Sequence, residues 1–139
     1  ISNTNVTVVD PETIYDDTYD IISPCALGGT INKNSLKNIN CNIIAGAANN
    51  QLENDTDVPE ELLKKNILYI PDFLINAGGI ISVYHEQIND IDSKKVMDMT
   101  GLIYDKVSSV IKYSEENSIS TNSAAIQLAK DRIKENSKK

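Results

Sequence analysis

The chain of 139 residues has no tryptophan, one phenylalanine, one histidine and two cysteines. A lone histidine with cysteines only at positions 25 and 41 excludes the clustered ligand spacing of a zinc site, and free thiols in a reducing cytosol are expected. Positive charge is scarce as well. Thirteen Lys and Arg face twenty Asp and Glu, a formal net charge of −7, which would repel the phosphates of a nucleic-acid partner. The basic residues gathered near the C-terminal end alternate with acids along a helical pattern and read as a solvated face. No apolar run approaches the roughly 20 residues that cross a bilayer, so no membrane partner is expected. The first residue is Ile1, followed by neither a basic nor an apolar leader. No targeting segment is expected, the location is read as cytoplasmic, and the natural N-terminus as lying upstream. Glycine is sparse, at six residues, and no Gly-x-Gly-x-x-Gly occurs. The phosphate-cradling fingerprint of a dinucleotide-binding domain is therefore missing.

What remains has the length of one domain and a hydrophobic content of 40%, enough for a single core. Short apolar runs at 6–9, 19–22, 42–45 and 66–70 are continuous rather than alternating, as in strands covered on both faces. The first suits an edge strand, closed by Asp10-Pro11; the others stop at Ser23-Pro24, Gly46 and Pro71. A spacing of roughly 20 residues suits parallel crossovers. Residues 34–38 read as a short helical turn. Residues 59–65 read as a helix, with Pro59 in the first turn, acids early and lysines late. Beyond Pro71 the pattern turns helical. One helix is expected over 76–88, opening at Gly78-Gly79, and a long one over 93–116. The long helix carries Val96, Met99, Ile103, Val107, Val110 and Ser114 on one face. A last one runs from Thr121, as N-cap, through Ala125, Leu128, Ala129 and Ile133. Gly101 inside the long helix costs ~1 kcal/mol relative to Ala and calls for a close helix contact.

Three segments at strand ends could carry binding, since open α/β sheets receive ligands there. In Ser23-Pro-Cys-Ala-Leu-Gly-Gly29 the small side chains let backbone approach a flat ligand; a tight turn with no ligand is the alternative. Gly46-Ala-Ala-Asn-Asn50 adds two amides, each an acceptor and a double donor that binds without adding charge; the alternative is turn capping. Asn76-Ala-Gly-Gly79 would present helix N-terminal amides to an anion, or hold two glycines for close packing. Ile80 and Val83, one turn on, suit an apolar pocket wall or the core. His85, between Tyr84 and Glu86-Gln87, reads as part of an exposed helix face rather than as a catalyst, and Glu86 likewise.

In this order, with Asn66-Ile-Leu-Tyr-Ile-Pro-Asp-Phe-Leu-Ile75 between them and Ala124-Ala-Ile-Gln-Leu-Ala-Lys-Asp-Arg-Ile133 after them, the segments resemble the glutamate/leucine/phenylalanine/valine family of amino-acid dehydrogenases, most nearly its leucine branch. The resemblance covers nearly the whole chain. It implies an α/β fold, the later half of a doubly wound Rossmann-type parallel sheet followed by C-terminal helices. Residues 1–72 would be part of an NAD-binding domain and 73–139 a helical region closing it. It also implies oxidation of an L-amino acid by NAD to a 2-oxo acid and ammonium, in a homo-oligomer. Ala26, Leu27, Ala47, Ala48, Asn49, Asn50 and Asn76 would lie along the cofactor. Asn49, Ile80 and Val83 would meet the substrate. Asn49-Asn50 looks more like the phenylalanine enzymes, and Asn50-Gln-Leu52 with Val83 like the leucine ones. An Ile80/Val83 wall would leave the second carboxylate of glutamate unpaired, at a cost of several kcal/mol. The family's catalytic lysine and aspartate have no matching segment here, so the chain alone is expected to be inactive. Phenylalanine or valine specificity, and a non-catalytic nucleotide-binding or assembly module, are the alternatives.

Overall fold

The computed structural model describes residues 5–137. Three strands, β1 (Thr18–Ile22), β2 (Asn40–Ile44) and β3 (Leu68–Tyr69), form one sheet in the order β1-β2-β3. Both pairings are parallel, with Tyr19 opposite Cys41, Ile22 opposite Ile44, and Ile44 opposite Tyr69. All three strands therefore end on the same edge of the sheet. Six helices complete the order: α1 (Asp57–Lys64) between β2 and β3, then α2 (Asp72–Ile75), α3 (Gly78–Gln87), α4 (Ser93–Gly101), α5 (Ile103–Asn117) and α6 (Thr121–Asn136). A parallel α/β sheet followed by helices is what the apolar runs and their spacing predict.

The crossovers explain the main core. A single 3-10 turn at Ser35–Lys37 links β1 to β2 and buries Leu36. Helix α1 begins where the Asn54 side chain accepts from the Asp57 amide at 2.7 Å, with Pro59 in its first turn, where a missing N–H is harmless. It lays Val58, Pro59 and Leu62 on the sheet. There Ile31, Leu36, Ile39, Cys41, Ile44, Val58, Leu62, Ile67 and Tyr69 form one cluster. A smaller cluster of Val110, Ala124 and Ala125 lies between α5 and α6, and the Thr121 hydroxyl ties it to the sheet by donating to the Tyr69 carbonyl.

Four local expectations need correction. Residues 6–9 form no strand and are exposed. Their β-branched side chains favour extended backbone, but no neighbouring strand takes up their hydrogen bonds and no layer covers them. The helix expected over 93–116 is two helices, because α4 stops at Gly101 and α5 starts at Ile103. A Cβ at Gly101 would meet nothing within 4 Å, so this glycine ends a helix and does not admit a close neighbour. The cap of α6 is Ser120, whose hydroxyl accepts from the Ser123 amide, and not Thr121, which faces the sheet. Finally, His85 is buried, at 6% exposure. Its Nδ1 lies 3.2 Å from the Asp90 carbonyl oxygen and its Nε2 3.0 Å from Met99 Sδ, so the ring pins α3 to α4. Its polar sequence neighbours conceal this, because the partners come from the next loop and helix.

Candidate functional site

At the C-terminal edge of the sheet three loops are bonded into one rim. The loop after β1 meets the loop after β2 through backbone. The Ala48 amide donates to the Pro24 carbonyl at 2.9 Å, and the Gly29 amide to the Asn50 carbonyl at 2.8 Å. Gly28 and Gly46 are needed for this contact. A Cβ at Gly28 would lie 2.8 Å from the Asn49 carbonyl oxygen, and one at Gly46 would overlap the Pro24 backbone. These two glycines bring loop against loop, which replaces the expectation that they open space for a ligand. Gly29 has the left-handed φ of +69°, a conformation glycine adopts without steric cost.

The loop after β3 joins through side chains. Asn76 Nδ2 donates to Asn49 Oδ1 at 2.6 Å and to the Ala47 carbonyl at 3.3 Å. The structure thus brings Ala47, Asn49, Asn50 and Asn76 together, as the strand-end pattern anticipates. Asn49 and Asn50 are exposed, as are Ala26, Leu27 and Ala47, with Leu27 at 73%. Ala48 differs, because it is buried and its amide and carbonyl are already bonded to Pro24 and Gln51. Ile80 and Val83 stand on α3 just past this rim, 71% and 49% exposed. Three residues apart, they share a helix face, and neither is buried by the described residues. Gly78 and Gly79 lie in the first turn of α3, and a Cβ at Gly79 would meet nothing within 4 Å.

Three supporting residues escape a reading of the sequence. Gln51, fully buried, donates from Nε2 to the carbonyls of Gly46 at 2.7 Å and Ala48 at 2.9 Å, bracing the β2 loop from inside. Its Oε1 is buried without a partner. Asp72, at the end of β3, accepts from the Asn50 amide at 2.5 Å and from the Tyr69 hydroxyl at 3.2 Å. Burial pushes the Tyr69 phenol well above its ordinary range, so it stays a donor. Cys25 lies on the β1 loop, exposed, with Sγ 3.3 Å from Ser23 Oγ. The Ala47 amide, and after it the Ser23 hydroxyl, hold its thiol below the ordinary value. The one signal that could have found Asp72 is its place directly after Pro71, where β3 must end.

Chemically the exposed rim is neutral. Ala26, Leu27, Ala47, Asn49, Asn50, Asn76, Ile80 and Val83 offer amides and apolar surface but no group that takes up or releases a proton near neutral pH. These residues supply no general acid or base; the exposed thiol of Cys25 on the β1 loop is ionisable. No cluster of three or more His, Cys, Asp or Glu among the described residues could hold a metal ion. None of their helices is long and apolar enough to cross a membrane.

A parallel α/β sheet with loops gathered at its strand ends has the architecture of an open doubly wound domain, the class of fold that receives ligands at that edge. The family model for Glutamate/Leucine/Phenylalanine/Valine dehydrogenase matches residues 2–139, and the chain belongs to that family. It is 47% identical over 127 residues to an L-tryptophan dehydrogenase of Nostoc punctiforme, covering 91% of this chain and 36% of that protein. With a leucine dehydrogenase of Bacillus subtilis it shares 39% over 125 residues, covering 90% and 34%. The crystal structure of the Nostoc punctiforme L-tryptophan dehydrogenase superposes with a TM-score of 0.90 at 45% identity, over 96% of this chain and 39% of that one. A glutamate dehydrogenase of Thermus thermophilus, 20% identical over 96% of this chain and 33% of its own, shares the fold with a TM-score of 0.73. The chain spans about a third of the length of these relatives. The expected likeness to the leucine branch is thus present, at lower identity than the likeness to the tryptophan enzyme.

Proposed function

We propose that this chain is the part of an NAD-dependent L-amino-acid dehydrogenase, of the leucine or branched-chain type, that orients nicotinamide and receives the substrate side chain. The observation that carries the reading is the bonded rim. Asn76 ties Asn49 to the end of the neighbouring strand, and Ile80 and Val83 stand exposed beside it. The donor chemistry fits the cofactor. A nicotinamide carboxamide is neutral and needs both a donor and an acceptor, which Asn49 and Asn76 supply without charge. Exposed Ala26, Leu27, Ala47 and Asn50 give the surface along which it lies, with buried Ala48 supporting them from beneath. NAD, when bound, accepts the hydride; the residues of this chain hold ring and substrate in register. The asparagines and apolar side chains assigned to the ligand supply no proton acceptor.

The substrate faces Ile80 and Val83, which favour an apolar amino acid. An aromatic side chain is the second reading, favoured by the 47% identity to a tryptophan dehydrogenase. We read residues 1–72 as part of the NAD-binding domain and 73–139 as the helical region that closes it, in a cytoplasmic homo-oligomer.

The test is a chimera in which this chain replaces the matching segment of the Nostoc punctiforme L-tryptophan dehydrogenase. It should oxidise an apolar L-amino acid with NAD, and the ratio of kcat/KM for leucine and tryptophan decides between the two readings. A folded chimera without NAD-dependent turnover of any apolar amino acid overturns the proposal. In the chimera, Val83→Ser should lower kcat/KM for leucine more than for alanine, since an apolar pocket discriminates by about 1–3 kcal/mol per methylene. Equal losses would remove Val83 from the pocket. The 139-residue chain alone lacks a pyrophosphate cradle and should bind NADH no better than about millimolar, near 4 kcal/mol. Low-micromolar affinity by calorimetry would refute that.

A further inference from the structure

We propose that Asp72 is a positioning residue, which fixes the Asn49–Asn50 peptide from the end of β3 and so aims the Asn49 amide at the ligand. The proposal rests on the reading of Asn49 as a ligand-binding side chain, and it deepens that reading by naming what holds Asn49 in place.

Asp72 is 9% exposed, and removing an ionised carboxylate from water is costly unless hydrogen bonds replace its hydration. Two partners do so. One is the Tyr69 hydroxyl, which donates to Oδ1 at 3.2 Å; the other is the Asn50 amide, which donates to Oδ2 at 2.5 Å. A turn formed by exposed asparagines could satisfy that amide with water, yet the fold brings a carboxylate to it from 22 residues away. The peptide so held is planar and unites the Asn49 carbonyl with the Asn50 N–H. Fixing its plane fixes the backbone from which the Asn49 side chain springs.

The same stretch is gripped from the other side. The Asn50 carbonyl accepts from the Gly29 amide at 2.8 Å. The Asn49 carbonyl sits where a Cβ on Gly28 would be 2.8 Å away, so the peptide has no room to turn toward β1. Asn50 itself has φ +52°, a left-handed conformation that asparagine tolerates better than most residues but that still needs support. Clamped on both sides, Asn49 presents Oδ1 to Asn76 Nδ2 at 2.6 Å. Its own NH2 group, which has no partner among the described residues, is left as the donor for a ligand. Asp72 is set deeper than that donor, so its part is to orient and not to touch the reacting atoms.

Nitrogen-15 amide and carbon-13 methyl spectra of the 139-residue chain, with Asp72→Ala, Asp72→Asn and Tyr69→Phe variants, test this without any assumption about turnover. Asp72→Ala should shift the side-chain amide resonances of Asn49 and Asn76 and the backbone amides of Gly29 and Asn50. The methyl resonances of Ile31 and Val58 in the core should stay in place. Asp72→Asn retains an acceptor for the Asn50 amide and should restore most of the pattern, and Tyr69→Phe should give a smaller version of the Ala shifts. If Asp72→Ala does not fold, Asp72→Glu serves instead: one added methylene must displace the Asn50 amide and move the same resonances. Unmoved Asn49 and Asn76 amides in a folded variant overturn the proposal, as does a change spread evenly over the core. In the chimera, Asp72→Ala should reduce kcat roughly tenfold to a hundredfold, as misplacement by about 1 Å does, with Asp72→Asn recovering most of it. An unsubstituted chimera that folds but does not turn over would defeat the dehydrogenase reading; the spectra would then still judge the hold of Asp72 on Asn49.

Discussion

Between Ile31 and Tyr69 the chain encloses a core: Ile31, Ile44 and Val58 are fully buried, Leu62 nearly so, and Leu36, Ile39 and Tyr69 close the cluster around them. In α3, α4 and the loop between them the same kinds of side chain face outward. Ile80, Val83, Tyr84, Ile91, Met97 and Met99 are exposed, α4 buries no residue, and α3 buries only His85. The hydrophobic effect therefore stabilises the two regions unequally. The sheet and α1 enclose their own core, whereas the α3–α4 pair is joined by a histidine, a methionine contact and an ion pair. Apolar surface left open beside a polar rim is expected of a region that meets a ligand or another part of a larger molecule. The core of the sheet carries stability; α3 carries contact.

The largest effect should therefore come from the sheet. Leu62→Ala removes a side chain that α1 packs against β2 and β3, and a cavity of this kind costs about 2–5 kcal/mol. Val83→Ala on α3 should change stability by no more than about 0.5 kcal/mol. Urea unfolding of both variants checks the contrast, and equal losses would erase the distinction between the two regions. Asn49→Ala should sharpen it from the other side. In the chimera the rate should fall by up to about a hundredfold, while the midpoint of unfolding barely moves. An unchanged rate with a clearly lower midpoint would make Asn49 a turn cap.

Legibility follows the same division. The three strands can be read because β-branched runs end abruptly at proline or glycine, both local signals. Val6 and Val8 mislead because β-propensity reports fitness for a pleated, covered surface, and nothing covers them. The break at Gly101 is locally visible but ambiguous, since one glycine can mark either a close contact or a helix end. In the site, Asn49, Asn50 and Asn76 are legible as amides at strand ends. Asp72 and Gln51 are not, because what ties them to these loops is a partner elsewhere in the chain and a burial that only the folded sheet creates. His85 fails for the same reason: Met99, 14 residues away, supplies the contact that buries it.

A smaller effect tests the second cluster. Ser120 caps α6 through its hydroxyl, accepting from the Ser123 amide at 3.3 Å, and Ser120→Ala should cost about 1 kcal/mol. Because α6 also touches α1 and β3, the loss should appear in the same cooperative transition as that of Leu62→Ala. A separate early transition would show α5 and α6 to be an independent unit.

The smallest effect concerns the ion pair on the α3–α4 side. Lys95 Nζ lies 2.8 Å from Asp90 Oδ2, and Asp90 also supplies the carbonyl facing His85. The Lys95 hydrogen bond holds the Asp90 carboxyl below its ordinary value, and Asp90 raises Lys95 in return. Because the folded carboxyl is depressed, the stabilisation it brings is present above the ordinary aspartate value of about 3.9. It is lost as pH falls through the lower folded value. The lysine works in the opposite sense: its share is present below the ordinary value of about 10.4 and is lost as pH rises through the raised one. Between those limits the pair is intact. Both groups are solvent-exposed, so salt screens them and the effect on global stability should be slight. A local readout is therefore the right one. The carboxyl carbon resonance of Asp90 should titrate below the ordinary aspartate range, and Lys95→Ala should bring it back up. The His85 ring resonances should respond in the same acid range, while the Ile44 methyls in the sheet should not. An Asp90 midpoint that ignores Lys95→Ala would show that the hydrogen bond does not persist in solution, leaving the His85 contact as the main link between α3 and α4.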